Sequence, residues 1–315
     1  MSAIRFTMPN VRQSDPPTVT VGLPTYNRCA GLARAARSVL AQEGVPIELV
    51  ISDNASTDDT SSELDLLASD PAVVILRQEQ NRGPTPNFRA TAAVRRGEHF
   101  MWLGDDDWLD PGYIAACVDA LRSDPSLSLV AGRARYHEDG RTWCEPKPIR
   151  ALHADPRRRV TSYYRKVGAN GVFYGVARGE CFDRLPPVPD LMGGDWLHVA
   201  ALAFLGRVCT IDGPEVHRTT GGATRSLADV ARHLGLGWFS RMVPQLVLAW
   251  NVFRDIAWRS PVYASLGVTG RLILATRAFT ICCVRFFPVA ALKVARRNLR
   301  PQRRRVVAES PSGSS

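Results

Sequence analysis

Along this chain the spacing of apolar residues switches back and forth between two periods. Short runs rich in β-branched residues, VTVGL (19–23), IELVIS (47–52), VVILR (73–77) and HFMWL (99–103), alternate with stretches whose apolar positions recur at helical spacing. The helical stretches extend through Ala41, begin again after Ser56 and after Thr85, and run from Pro111 through Leu121, before a further strand-like run, LSLVAGRARY (127–136). Strands separated by helices of about ten to fifteen residues predict βαβ units and a parallel sheet. Right-handed crossovers then place helices on both of its faces. Thr57 or Asp58 is placed to cap the second helix, and Asp110 ahead of Pro111 to cap the fourth.

The second half is less regular. Residues 141–159 hold Pro, Arg and His without periodicity and read as a long loop. A strand, GVFYGVAR (171–178), a helix, DWLHVAALAFLG (195–206), a short strand near 208–211 and a polar loop over 212–226 follow. From about Val230 the chain is helical and rich in aromatics. These changes divide it into a lead, 1–17, two α/β halves, 18–136 and 137–226, a helical extension, 227–305, and a tail, 306–315.

With 315 residues, 45% hydrophobic and 22% charged, the composition is that of a folded globular protein. The net charge of +10 is unevenly placed: eleven of the 40 basic residues and one of the 30 acidic residues, Glu309, lie beyond residue 255, leaving 29 of each before it. A neutral body with its polar loops rich in acid argues against nucleic acid as a partner, despite the basic end. Seven scattered cysteines with no CxxC pair read as reduced thiols of a cytosolic protein. The first residues lack the apolar core of a signal peptide. The segments 234–258 and 271–300 are apolar but broken by arginines and by Pro288. They are therefore expected to lie in an anionic membrane interface without crossing it, to pack on the body, or to join two copies in a homodimer.

In open sheets of this kind ligands bind beyond the carboxyl ends of the strands. The loops that should converge there read PTYNR, DNASTDD, QEQNRGPTPN and GDDDW. Asp105, Asp106 and Asp107 are adjacent, and each close pair repels by ~1 kcal/mol or more, so a positive group is expected among them. Taken in order, LPTYNR (23–28), SDNASTDDT (52–60), NRGPTPN (81–87) and GDDDWLDP (104–111) resemble the family 2 glycosyltransferases, and the likeness extends over about residues 18 to 226.

That resemblance implies the GT-A fold, a Rossmann-like, mostly parallel sheet flanked by helices, with 18–136 as the half that binds a nucleotide sugar and 137–226 as the acceptor half. It implies inverting transfer from a nucleotide diphosphate sugar of UDP or dTDP type to an acceptor hydroxyl, and the basic, apolar C-terminal segments alone point to a sugar, glycolipid or polysaccharide acceptor in the synthesis of cell-envelope glycan or glycolipid. The cysteines and the N-terminal residues point to the cytoplasm, and the C-terminal segments to the inner face of the cell membrane. A nucleotidyltransferase of related fold and a non-catalytic relative that only binds the donor are the alternatives.

By the same resemblance Pro24, Thr25, Tyr26 and Arg28 lie against base and ribose, Asp53 accepts a ring N–H, and Asn54 stands where many relatives have a second acid. Asn81, Gly83 and Asn87 are nucleotide contacts, and Asp105 is near the ribose. Asp106 falls on the metal position and Asp107 on an extra acid, with His217 completing the shell of Mn²⁺ or Mg²⁺. Gly104 replaces the first acid of the usual pattern, which leaves the choice of ligand among the three aspartates open. Asp195 is the implied general base, with Gly194 where relatives carry Glu. Arg218 or Arg225 would pair with the diphosphate, and Gly221 and Gly222 suggest a lid.

Overall fold

The computed structural model describes residues 5–7, 17–138, 140–219, 231–232, 235 and 237–298, with side chains from 17 to 285 except that of residue 239. The β-branched runs become strands because they are covered on both sides. The elements in order are β1 (Arg5–Thr7), β2 (Val19–Thr25), α1 (Cys29–Leu40), β3 (Ile47–Asp53), α2 (Thr60–Leu67), β4 (Val73–Arg77), α3 (Pro84–Ala93), β5 (His99–Trp102), β6 (Trp108–Leu109) and α4 (Tyr113–Ser123). Then come β7 (Leu127–Ala131), β8 (Ala134–Glu138), β9 (Arg141–Cys144), β10 (Arg150–Ala151), α5 (Pro156–Lys166), β11 (Val176–Arg178), α6 (Gly179–Phe182), α7 (Gly194–Leu205), β12 (Arg207–Thr210) and β13 (Val216–Thr219). The C-terminal helices are α8 (Trp238–Met242), α9 (Pro244–Arg254) and α10 (Gly267–Asn298).

The main sheet has the order β1-β4-β3-β2-β5-β11-β7-β12-β10, and its β4-β3-β2-β5 block is parallel throughout. All seven residues of β2 are buried. Val19, Val21 and Leu23 join the main core with Leu32 and Val39 of α1, and the neighbouring strands put Val50, Val74 and Leu76 into a smaller cluster with Ala90 and Val94. Close approach of α3 depends on Gly22, where a Cβ would stand 2.4 Å from Thr91 Oγ1. A second sheet has the order β6-β13-β8-β9.

Several expectations are corrected. Residues 141–159 are not a long loop: they carry β9, β10 and the start of α5, whose Asp155 accepts from Arg157 N at 2.9 Å and whose first residue is Pro156. The expected strand 171–178 is a 3₁₀ turn, Gly171–Tyr174, followed by the short β11. The run 127–136 divides between the sheets at Gly132, where a Cβ would lie 2.1 Å from Pro214 O. Asp110 does not cap α4; Gly112, at φ +77°, occupies that position.

The last helix continues through Pro288. Contrary to the expectation of no spanning segment, Pro261–Arg285 is long and apolar enough to cross a membrane by length and composition alone. In this structure it is docked: Leu274, Ala275, Ala278 and Cys282 are buried, and Arg271 donates to Ile256 O at 3.0 Å and Ser260 O at 3.1 Å.

Candidate active site

Parallel pairing brings the carboxyl ends of three strands together, with Thr25 opposite Asp53 and Gly22 opposite Trp102. Side-chain amides then tie the loops beyond them. Asn54 donates to Asn81 Oδ1 at 2.8 Å and Gly83 O at 3.1 Å, and accepts from Arg82 N at 3.0 Å. Asn87 is buried and donates to Thr25 O at 3.1 Å and Ser52 O at 3.0 Å. The three asparagines expected to touch a nucleotide thus hold the strand ends in place. Gly83 takes φ +86° at the start of α3, a conformation that favours glycine. Pro24 lies buried within β2, while Tyr26 is 40% exposed. Asp53 accepts from Ser56 N at 3.0 Å through Oδ1, and its other oxygen has no hydrogen-bond partner among the described residues.

The aspartate turn closes by Asp107 N donating to Gly104 O at 3.2 Å. A Cβ at Gly104 would sit 2.8 Å from Asp107 Oδ2 and 3.2 Å from Asp106 Oδ1, so an acid at that position would push the other two apart. The three carboxylates face different partners. Asp107, 1% exposed, accepts from Arg218 Nε and from Thr219 N, each at 3.1 Å. Arg218 also donates to Tyr136 OH at 3.1 Å and Tyr174 OH at 3.0 Å. Expected at the metal and the diphosphate respectively, Asp107 and Arg218 are instead committed to each other, because a carboxylate this buried needs a charged partner and saturated oxygens.

Asp105 and Asp106 are more open. Asp105 accepts from Thr25 Oγ1 at 2.9 Å and from Tyr26 N at 3.4 Å. Burial, and then the charge of Asp106, push its pKa up to about 6 against the opposing pull of Arg28. Asp106 pairs with Arg28. Two carboxylates facing one arginine suit a hard divalent cation, which takes one or two carboxylates and completes its shell with phosphate and water. The donor set at Asp105 and Asp106 fits such an ion.

His217 was expected in that shell and is held elsewhere. Its Nε2 meets Asp110 Oδ1 at 2.8 Å and its Nδ1 meets His137 Nε2 at 2.9 Å, with the Trp108 ring stacked 4.9 Å away. Asp110, Glu215 and His217 form a group of possible ligand atoms within 4.8 Å of one another. Glu215 is forked onto Arg135 and both nitrogens of His217 are engaged, so the group is already satisfied.

Asp195 lies in the first turn of α7. It accepts from Asn170 Nδ2 at 2.9 Å, and Asn170 Oδ1 accepts in turn from Tyr163 OH at 2.9 Å. Burial raises the Asp195 pKa and the Asn170 hydrogen bond works against the rise. The charge of Arg218 favours the ionised form of both Asp107, which it contacts, and Asp195. Glutamate is absent before Asp195 for a steric reason: a Cβ at Gly194 would lie 2.2 Å from Pro189 O. Asn170, Tyr163, Tyr136 and Tyr174 were not among the expected site residues, since none belongs to one of the four loop motifs. Gly221, Gly222 and Arg225 lie outside the described residues.

This arrangement, strand-end loops around open carboxylates with an acid-bearing helix across from them, defines an α/β protein of the GT-A class. The fold is shared with a mannosyltransferase from Pyrobaculum calidifontis in complex with GDP-Man and Mn²⁺, at 21% identity and a TM-score of 0.55 over 90% of this chain and 80% of that one. It is shared also with TarS 1-349 of S. aureus, at 15% identity and a TM-score of 0.54 over 88% and 87%. Residues 20–177, half of the chain, match the family described as glycosyl transferase family 2, and the chain belongs to that family.

Among curated relatives, an uncharacterised protein of Mycobacterium tuberculosis (strain CDC 1551 / Oshkosh) is 32% identical over 127 residues, 40% of this chain and 39% of its own length. A chondroitin synthase of Escherichia coli is 33% identical over 115 residues, 36% of this chain and 17% of that protein. The succinoglycan biosynthesis protein ExoO of Rhizobium meliloti (strain 1021) is 33% identical over 115 residues, 36% of this chain and 32% of that protein. The chain therefore matches well under half the length of these relatives.

Proposed function

We propose that this protein is an inverting glycosyltransferase that moves a sugar from a UDP- or dTDP-type donor to a hydroxyl of a sugar, glycolipid or polysaccharide acceptor. The observation that carries the reading is the contrast at the aspartate turn: Asp107 is saturated, while Asp105 and Asp106 are left open beside Arg28 at the end of β5. Asp53 accepts a ring N–H of the base through its unbonded oxygen, and Thr25 and Tyr26 border the ribose with Asp105. Asp106 is the ligand for Mn²⁺ or Mg²⁺, and Asp105 adds its charge from alongside. Bound there with the diphosphate, the cation supplies charge neutralisation for the leaving group. Asp195, oriented by Asn170, takes the proton from the acceptor hydroxyl, and the burial that raises its pKa makes it a stronger base than an ordinary carboxylate.

The names of the chondroitin synthase and of the succinoglycan protein support a polysaccharide or glycolipid acceptor of the cell envelope. The basic, apolar C-terminal helices support work at the inner face of the membrane. A thermal-shift series of UDP-, dTDP- and GDP-sugars, each with and without Mn²⁺, tests the donor reading. A donor at a hundred times its Kd stabilises by about 2.7 kcal/mol, and here that gain should require Mn²⁺. No shift with any nucleotide sugar in either condition would reject it.

A further inference from the structure

Exposed apolar side chains are concentrated at one end of the molecule: of the twelve large ones among the described residues, eight lie between Trp238 and Val284. On α10 Leu274, Ala275, Ala278 and Cys282 face the body, and the outward side presents Thr269, Leu272, Ile273, Thr276, Thr280 and Val284 with Arg277 as its one charge between residues 268 and 284. Along one flank Trp250 stacks on Phe253 at 5.4 Å, and Trp258, 55% exposed, meets the same ring at 5.4 Å. Along the other flank runs a groove of about 610 Å³ between α5 and α10. His153, Arg158, Arg165 and Arg277 line it, with Thr161, Thr276, Thr280 and Ile281, and no acid does. Arg285, further along α10, is turned inward, donating to Tyr164 O at 3.0 Å. Arg158, Arg165 and Arg277 are exposed, and none makes an ion pair or a side-chain hydrogen bond among the described residues.

Three unpaired guanidinium groups around one groove repel each other unless an anion joins them, and their forks match phosphate oxygens. The exposed Leu272, Ile273 and Val284 and the two tryptophans beside the groove point to the source of that phosphate. Indole rings favour the boundary between headgroups and acyl chains, and a helix with one largely apolar face lies in that boundary with its cations at the headgroup level. We propose that the groove between α5 and α10 is a headgroup site for an anionic phospholipid, with the outer face of α10 and Trp250 and Trp258 seated in the bilayer interface. The proposal rests on the membrane-surface reading above and adds to it the residues that select anionic lipid.

The test is flotation of the full-length chain with phosphatidylcholine vesicles, with and without phosphatidylglycerol, comparing the natural protein with the R158Q/R165Q/R277Q variant. All three positions are exposed, so a matching melting temperature should confirm that the variant folds; if it does not, R277E alone serves. The natural chain should float with the anionic vesicles only, and the triple variant should bind them on the order of a hundredfold more weakly, as expected for three surface cations. A natural chain that binds neither vesicle overturns the membrane reading and the site together. Equal binding by both proteins to anionic vesicles overturns the groove alone. Displacement from vesicles by millimolar inorganic phosphate would make the groove a soluble-anion site and overturn the lipid assignment. So would an I273E change that abolishes self-association in place of vesicle binding, since a second copy would then be the occupant.

Discussion

Asp106 and Asp107 are neighbours in sequence and each faces an arginine, yet the two pairs are built for different ends. The side chains of Asp107 and Arg218 are 1% and 23% exposed, those of Asp106 and Arg28 24% and 36%. In the first pair both carboxylate oxygens and three guanidinium nitrogens have partners within the fold. In the second, one arginine stands against two half-open carboxylates, an arrangement that water screens and an incoming cation can replace. Saturation separates scaffold from site more clearly than charge does. Asp195 stands between the two groups: burial raises its pKa, yet Asn170 is the one side chain among the described residues that hydrogen-bonds to it.

The contrast is sharpest in activity. Asp195→Asn keeps the shape and the Asn170 neighbour but removes the proton acceptor, so kcat for transfer should fall by about 10²–10⁴-fold while the melting temperature holds. Unchanged turnover would take Asp195 out of the chemistry.

In stability the order reverses. Arg218→Met leaves Asp107 buried with no counter-charge and should cost about 3–5 kcal/mol in urea unfolding. Adding Asp107→Asn to that variant should recover most of the loss, because the uncompensated charge is then gone. A cost below about 1 kcal/mol for Arg218→Met would mean the pair is wetter than its burial indicates.

How far such differences could be read in advance depends on what kind of signal carries them. The strand and helix alternation, the parallel block and the placing of Asp105 to Asp107 at a strand end follow from local periodicity and turn residues, and the structure shows them. The pairing of Asp107 with Arg218 joins positions 111 apart through the second sheet, and no local pattern encodes it. For the same reason Asn54, Asn81 and Asn87 read as ligand contacts: an amide that braces loops and one that binds a base look alike in sequence. The helix at Pro156 was legible from Asp155 and Pro156 as an N-terminal signature, but the surrounding arginines and prolines hid it. At Gly104 and Gly194 the departures from the family pattern became intelligible only once the atoms that a side chain would strike were known.

A third kind of carboxylate tests whether burial or saturation is the deciding variable. Asp255 is 5% exposed with no hydrogen bond to its side chain among the described residues, and burial raises its pKa to about 7 against the pull of Arg259 and Arg271. The folded form therefore holds a proton that the unfolded chain releases near its ordinary value, about 3.9. The stability this gives is complete below that value and is lost as pH rises, fully so above about 7. Asp255→Asn should remove the slope, being about 1–3 kcal/mol more stable than the natural chain at pH 8 and no different at pH 4. Parallel stability curves across that range would show that the carboxylate finds partners in solution.

The smallest effect should come from Arg28→Ala, and it separates the two arginines most directly. A partly exposed pair contributes under about 1 kcal/mol, so folding stability should barely move, in contrast to Arg218→Met. With Arg28 gone, nothing competes with a cation for Asp106, and Mn²⁺ alone should stabilise the variant slightly more than the natural chain. The same titration on Asp106→Asn should show no Mn²⁺ response at all. If Arg28→Ala were instead as damaging to the fold as Arg218→Met, the open pair would be part of the scaffold, and the distinction between held and exchangeable carboxylates at this turn would fail.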